Sequence, residues 1–254
     1  MNRTFTAIVL LLCGVTAVDA GELELLRVDR IWDRAPHNAF TSLVRYRDAF
    51  VCAFREANTH MSRDGELRVL RSADGTNWTS SALISRPGED LRDARLSVTS
   101  DGRLMLSGAS AIPNPSAPPD YLYRSMVWFS TNTTHWTTGT LVGRDHEWFW
   151  SMVWREGTAY SVGYKTAEPR GTRLVTSTNG TNWSTHVEPL FTANYPNETA
   201  LVFEDNGPLY CLLRRDASPY TAQLGTAHPP YTSWTWKDLG TRIGGPAMIQ
   251  LYDG

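Results

Sequence analysis

One short turn, written three times, constrains this 254-residue chain more tightly than any other feature. The copies are Ser72-Ala73-Asp74-Gly75-Thr76-Asn77-Trp78, Ser130-Thr131-Asn132-Thr133-Thr134-His135-Trp136 and Ser177-Thr178-Asn179-Gly180-Thr181-Asn182-Trp183. Each reads Ser-x-Asp/Asn-x-x-x-Trp and follows a short apolar run. The Asp or Asn side chain can accept hydrogen bonds from backbone N–H groups of its own turn, the Ser can assist, and the Trp packs beneath. None of this requires a ligand. A fourth copy, before Trp234, keeps the Trp but has lost the Ser and Asp. Recurrence of such a unit at roughly 50 residues marks stacked four-stranded sheets.

The rest of the pattern agrees. Apolar runs such as Leu96-Ser97-Val98, Met152-Val153-Trp154, Leu201-Val202-Phe203 and Met248-Ile249-Gln250-Leu251 each precede a Gly turn. Those turns are Asp101-Gly102, Glu156-Gly157, Asn206-Gly207 and Asp253-Gly254, and Asp48-Ala49 holds the same place first. Gly accepts positive φ, which a tight hairpin needs. A second strand follows each turn, a third leads into the Ser-x-Asp turn, and the Trp opens a fourth. No long window has a helical period. The expected fold is all-β, a propeller of four-stranded blades. Four blades run from about Ala35 to Leu239, and Ile243 to Gly254 reads as the first strand of a fifth. A propeller closes to remove its edges. The chain therefore reads as an incomplete part of a ring, six-bladed when complete, which would need about 90 further residues.

Residues 1–20 read as a secretory signal, with Arg3, an apolar run from Ala7 to Cys13 and Val18-Asp19-Ala20 before the cleavage point. Residues 21–254 then form one propeller domain, exported to a periplasmic or extracellular space. No later segment could span a membrane. With Cys13 removed, Cys52 and Cys211 remain. They hold matching places in two repeats, so they read as buried free thiols. Sequons at Asn77, Asn132, Asn179, Asn182 and Asn197 fall mostly inside the repeated turn and read as by-products of it. A net charge of −2 carries no nucleic-acid footprint. No His/Cys/Asp cluster has metal spacing and no Gly-rich loop suits a phosphate, so no metal or cofactor is expected.

The Ser-x-Asp turns resemble the Asp-boxes of the sialidase (neuraminidase) superfamily, whose usual form is Ser-x-Asp-x-Gly-x-Thr-Trp. All three copies here are one residue shorter. A second stretch is more specific. Asn197-Glu198-Thr199-Ala200-Leu201-Val202, then Asn206-Gly207-Pro208-Leu209-Tyr210, then Leu212-Leu213-Arg214 resembles a sialidase signature. The resemblance implies that Glu198 polarises a catalytic Tyr and that Arg214 is one of three Arg gripping a substrate carboxylate. Departures are visible. The Arg-Ile-Pro of the first blade is replaced by His37-Asn38-Ala39-Phe40-Thr41, and the catalytic Tyr of the family would come after Gly254. Where the family places its Asp general acid, His60 and Asp64 are the candidates.

The repeat itself nominates site residues. Nine positions before each turn Gly stand Asp93, Trp148, Glu198 and Gly245, with Ala39 or Phe40 in the first blade. These open the innermost strands and should converge on the axial mouth. Two carboxylates and a Trp at one level suit a sugar, with Trp148 as stacking face and Asp93 and Glu198 as acid, base or nucleophile. Seven and eight positions after the turns stand Arg55-Glu56, Ala109-Ser110, Tyr164-Lys165 and Arg214-Arg215. Arg55 and Arg214 suit an anionic group, because guanidinium binds carboxylate or sulfate in bidentate fashion. The alternative use of these Arg is to neutralise Asp93, Glu56 or Glu198. His37 begins the loop into the first blade and could face the mouth. Arg92 should point away from Asp93 if the strand is regular. The function expected is an exported sialidase-like glycoside hydrolase acting on terminal acidic or polar sugars of glycans. The alternatives are a non-catalytic carbohydrate- or protein-binding propeller and an inactive truncated fragment.

Overall fold

The computed structural model describes residues 25–251 apart from 115, 117–120 and 206. The signal segment, Asn206 and the last turn at Asp253-Gly254 lie outside the described residues. Two units are present. Residues 25–30 carry no strand, and every described strand belongs to the unit that begins at Ile31.

Sixteen strands among the described residues form four successive meanders. The first is β1 (His37–Tyr46), β2 (Ala49–Ala57), β3 (Glu66–Ser72) and β4 (Thr79–Ile84). The second is β5 (Asp90–Val98), β6 (Leu104–Pro113), β7 (Tyr121–Ser130) and β8 (Thr140–Val142). The third is β9 (Glu147–Arg155), β10 (Thr158–Lys165), β11 (Thr172–Ser177) and β12 (Ser184–Phe191). The fourth is β13 (Pro196–Phe203), β14 (Leu209–Arg215), β15 (Gln223–Ala227) and β16 (Thr235–Asp238). Neighbours within a meander pair antiparallel, and a single parallel bridge from Arg124 to Glu147 joins the second to the third. First strands lie beside first strands: β1 on β5, β5 on β9 and β9 on β13.

The core lies between successive meanders, as alternating or continuous apolar strands require. Val51, Val69, Leu91, Leu104, Leu106 and Trp128 fill the first interface. Met105, Val127, Phe129, Phe149 and Val175 fill the second. Val162, Leu174, Leu201, Leu209 and Leu213 fill the third. Cys52 and Cys211 are buried free thiols, as the repeat suggested. Burial pushes the Cys52 thiol up to about 11 and the Cys211 thiol higher still.

The repeated turn closes on itself. Ser72 Oγ accepts from Gly75 N at 2.9 Å, and Asp74 Oδ1 accepts from Thr76 N and Asn77 N at 2.8 Å. Trp78 Nε1 donates to Gly75 O at 3.0 Å. Those backbone N–H groups hold the exposed Asp74 carboxyl well below the usual range. The Ser130 and Ser177 copies repeat the scheme, and Trp234 Nε1 still donates to Tyr231 O at 3.0 Å. The third residue after the Ser has φ of 75° at Gly75 and 78° at Gly180. Thr133 takes the same place at 67°, an uncommon conformation for a β-branched residue. Its backbone oxygen is held by Ser81 Oγ at 2.8 Å.

One expected element is corrected. Residues 243–251 form no strand. An apolar run becomes a strand only beside a partner with free N–H and C=O groups, and among the described residues this one has none. Instead the segment passes the first strands, and Trp150 Nε1 donates to Pro246 O at 3.4 Å.

Candidate functional site

The first strands share an irregularity that builds the site. In β5 the register passes from Arg92↔Ala109 to Arg95↔Ser107, so Asp93 and Ala94 together oppose Gly108. The same two-for-one bulge occurs at Phe40-Thr41, Trp150-Ser151 and Asn197-Glu198. A bulge re-aims side chains and bends the strand. Asp93 has φ of 53° and Phe40 of 61°. Alternation therefore fails at 92–93, and Arg92 and Asp93 line the same cavity rather than opposite faces.

That cavity measures about 520 Å³ and is bounded by residues of all four meanders. Asp93, Trp148, Glu198 and Arg214 line it together. Asp93 is only 5% exposed, and its Oδ1 has no hydrogen-bond partner. Burial pushes its carboxyl up to about 7; Arg92 and Arg95 oppose the shift and Glu198 adds to it. Burial also raises Glu198, against the pull of Arg214, whose Nη1 donates to Glu198 Oε2 at 2.7 Å. Arg214 reaches Asp216 as well, at 2.9 Å, and Asn197 Nδ2 donates to Asp216 Oδ2 at 2.8 Å. This chain of bonds fixes Glu198 at the start of its strand.

Trp148 forms the wall between Tyr123 and Tyr164. The ring centroids are 5.9 Å and 6.1 Å apart and the planes nearly parallel, at 20° and 9°. Tyr164 is held well above its ordinary range by burial, with Asp93 and Glu198 adding to the shift. Arg95 lies over the Trp150 ring at 4.4 Å and donates to Thr41 O at 2.9 Å. Gly245 lies against Trp150, and a Cβ there would stand 3.9 Å from Glu198 Oε2.

Three expected site residues do not line the cavity. Arg55 is fully buried: it donates to Asp90 Oδ1 at 2.8 Å, Leu91 O at 3.2 Å, Thr59 O at 3.1 Å and Ser62 O at 2.8 Å. Its charge is used inside the protein, and it ties the loop after β2 to β5. Glu56 faces away, accepting from Trp32 Nε1 and from Arg68 Nη2 at 2.8 Å. His37 packs on His60, their rings 5.7 Å apart, and its Nε2 has no partner. Burial, then Arg55, lowers the His37 pKa. Of the two general-acid candidates, His60 lines the cavity, whereas Asp64 accepts from Asn58 N at 3.1 Å in its own loop.

Reasoning from the repeat missed Arg63, Arg170, Tyr123, Tyr195 and Asp216, which also line the cavity. Arg63 is in the loop between β2 and β3, and Arg170 in the loop between β10 and β11, outside any repeated position. Tyr164 did stand at a position the repeat points to, at the end of a second strand.

The all-β fold is of the kind found in solved β-propeller glycoside hydrolases. No protein-family model and no curated protein matches the sequence. Solved structures do match. A protein of unknown function from Dyadobacter fermentans superposes with a TM-score of 0.74 at 18% identity, over 85% of this chain and 72% of that one. An α-L-arabinanase of Penicillium chrysogenum, complexed with arabinobiose, gives 0.60 at 14% identity, over 82% and 69%. A sialidase of Trypanosoma rangeli, complexed with 2,3-difluorosialic acid, gives 0.63 at 12% identity, over 80% of this chain but 37% of that one.

Proposed function

We propose that this chain is the catalytic part of an exported, sialidase-like β-propeller glycoside hydrolase that cleaves terminal acidic or polar sugars from glycans. One observation carries the reading. Asp93, buried and raised to about 7, shares a cavity with Glu198, and the wall beside them is a three-ring aromatic stack. Paired carboxylates in unlike environments are how glycosidases divide acid and base roles. Asp93 keeps its proton near neutral pH and gives it to the departing glycosidic oxygen. Glu198, fixed by Arg214, stabilises the oxocarbenium-like centre or activates the attacking group. Trp148, stacked between Tyr123 and Tyr164, offers the sugar the edge of an aromatic wall.

A panel of fluorogenic sialosides, arabinofuranosides and galactosides tests this. Turnover of at least one, lost in Glu198→Gln with folding intact, is the expected result. The stretch from His37 to Thr41 carries no Arg where the resemblance expects one, and this favours a second reading as a carbohydrate-binding propeller. Binding without turnover across the panel would select that second reading.

A further inference from the structure

A single buried carboxylate, Asp90, serves three guanidinium groups. Its side chain is wholly inaccessible, as is that of Arg55, whose Nη2 lies 2.8 Å from Oδ1. Arg92 Nη1 lies 2.9 Å from Oδ2, and Arg63 Nη1 lies 3.8 Å from the same oxygen. Among the described residues, neither Arg63 nor Arg92 is within ion-pair distance of any other carboxylate. Within ion-pair distance one carboxylate thus serves three guanidinium groups, and the nearest further acidic group to Arg92 is the Asp93 carboxyl, whose proton is held up to about 7. Arg55 is buried beneath, and the two groups left under-compensated, Arg63 and Arg92, line the cavity. Elsewhere on the same lining the balance is the opposite: Arg214 is shared by Glu198 and Asp216.

Both cationic groups are held in place. Arg92 Nη2 donates to His60 O at 3.1 Å. Arg63 lies over the Tyr121 ring at 4.1 Å, and its Nη1 lies 3.2 Å from Tyr123 Oη. Pre-positioned guanidinium groups with spare positive charge at a cavity wall are suited to an oxyanion, which they bind in bidentate geometry. Sharing a single carboxylate leaves these partly desolvated guanidinium groups short of negative charge, which an added anion supplies.

We infer that Arg63 and Arg92 form the subsite for a carboxylate or sulfate substituent of the sugar, and that this pair, rather than Arg55 or Arg214, selects acidic glycans. The inference rests on the reading of the cavity as a sugar site. The polarity of the cavity then orients the ligand. An anionic substituent at the Asp90 end places the rest of the sugar along the Trp148 wall, toward Asp93 and Glu198.

The test is calorimetric titration with lactose, 3′-sialyllactose and 3′-sulfolactose. Each protein also carries Asp93→Asn, so that no ligand is consumed. The expected result is tighter binding of one or both anionic ligands than of lactose. Arg63→Met then weakens only the anionic ligands, by roughly ten- to a hundredfold, and Arg63→Lys weakens them less. Preference for the sialyl or the sulfo ligand tells carboxylate from sulfate. Unchanged anionic affinity in Arg63→Met, with an intact unfolding transition, would overturn the inference. So would equal affinity of the parent for lactose and both anionic ligands, although the sugar site would then stand. Failure of all three ligands to bind would remove the sugar reading itself.

Discussion

Replacing Asp93 by Asn should make the protein more stable as the pH rises, while abolishing turnover. The folded chain holds the Asp93 proton up to about 7, whereas the unfolded chain releases it near the ordinary value of 3.8. Between those values the folded state binds the extra proton, so wild-type stability falls as pH rises through the window. At about 1.4 kcal/mol per unit, the whole shift amounts to about 4 kcal/mol lost by pH 8, of which about 3 kcal/mol is lost between pH 5 and pH 8. Asp93→Asn does not titrate. Any pH-independent change, such as weaker attraction to Arg92 and Arg95, cancels when the two pH values are compared. Urea unfolding followed by Trp fluorescence at pH 5 and pH 8 should show the gap between variant and wild type moving toward the variant by about 3 kcal/mol. A gap that stays constant from pH 5 to pH 8 would refute the burial of an unpartnered, proton-holding carboxyl.

Arg55→Met should destabilise the fold by about 3–5 kcal/mol, because it removes a wholly buried partner of Asp90 and frees the loop after β2; chemical denaturation reads this directly. Gly65→Ala should be at least as severe, since a Cβ there would land on the Asp90 carboxyl, the Leu91 carbonyl and the Arg55 guanidinium at once; loss of soluble, cooperatively unfolding protein is the readout. Ser72→Ala should cost about 1–2 kcal/mol by leaving the Gly75 and Asp74 N–H groups of the turn without their acceptor, and denaturant midpoints measure it. Neither Cys52 nor Cys211 should react with a thiol reagent at pH 8 until the protein is unfolded, because both thiols are buried and raised.

Much of the architecture could be read from residues alone, for physical reasons that can be named. Ser72, Asp74 and Trp78 make a turn by bonding within themselves, so the motif reports its own structure wherever it recurs. Gly102 and Gly157, at φ of 79° and 81°, mark hairpins for the same local reason. The expected limits of the four blades, Ala35 and Leu239, fall within two residues of the observed β1 start and β16 end. What depends on distant partners was not legible. Met248-Ile249-Gln250-Leu251 has a strand's composition, but among the described residues no strand pairs with it. Arg92 was expected to face away from Asp93, because nothing in the sequence announces the bulge that breaks alternation there. Arg55 stood at a repeated position beside Arg214 in register, yet Asp90 takes its charge inside the protein. Arg63, a loop residue outside the repeat, carries the exposed end of that charge cluster instead.

The pH dependence of kcat/KM for the best fluorogenic glycoside, in wild type and in Asp93→Asn, tests the central claim most directly. A proton donor at Asp93 predicts activity that falls as pH rises through about 7, and it predicts that Asp93→Asn is inactive at every pH. A flat wild-type profile from pH 5 to pH 8, or an active Asp93→Asn, would contradict it.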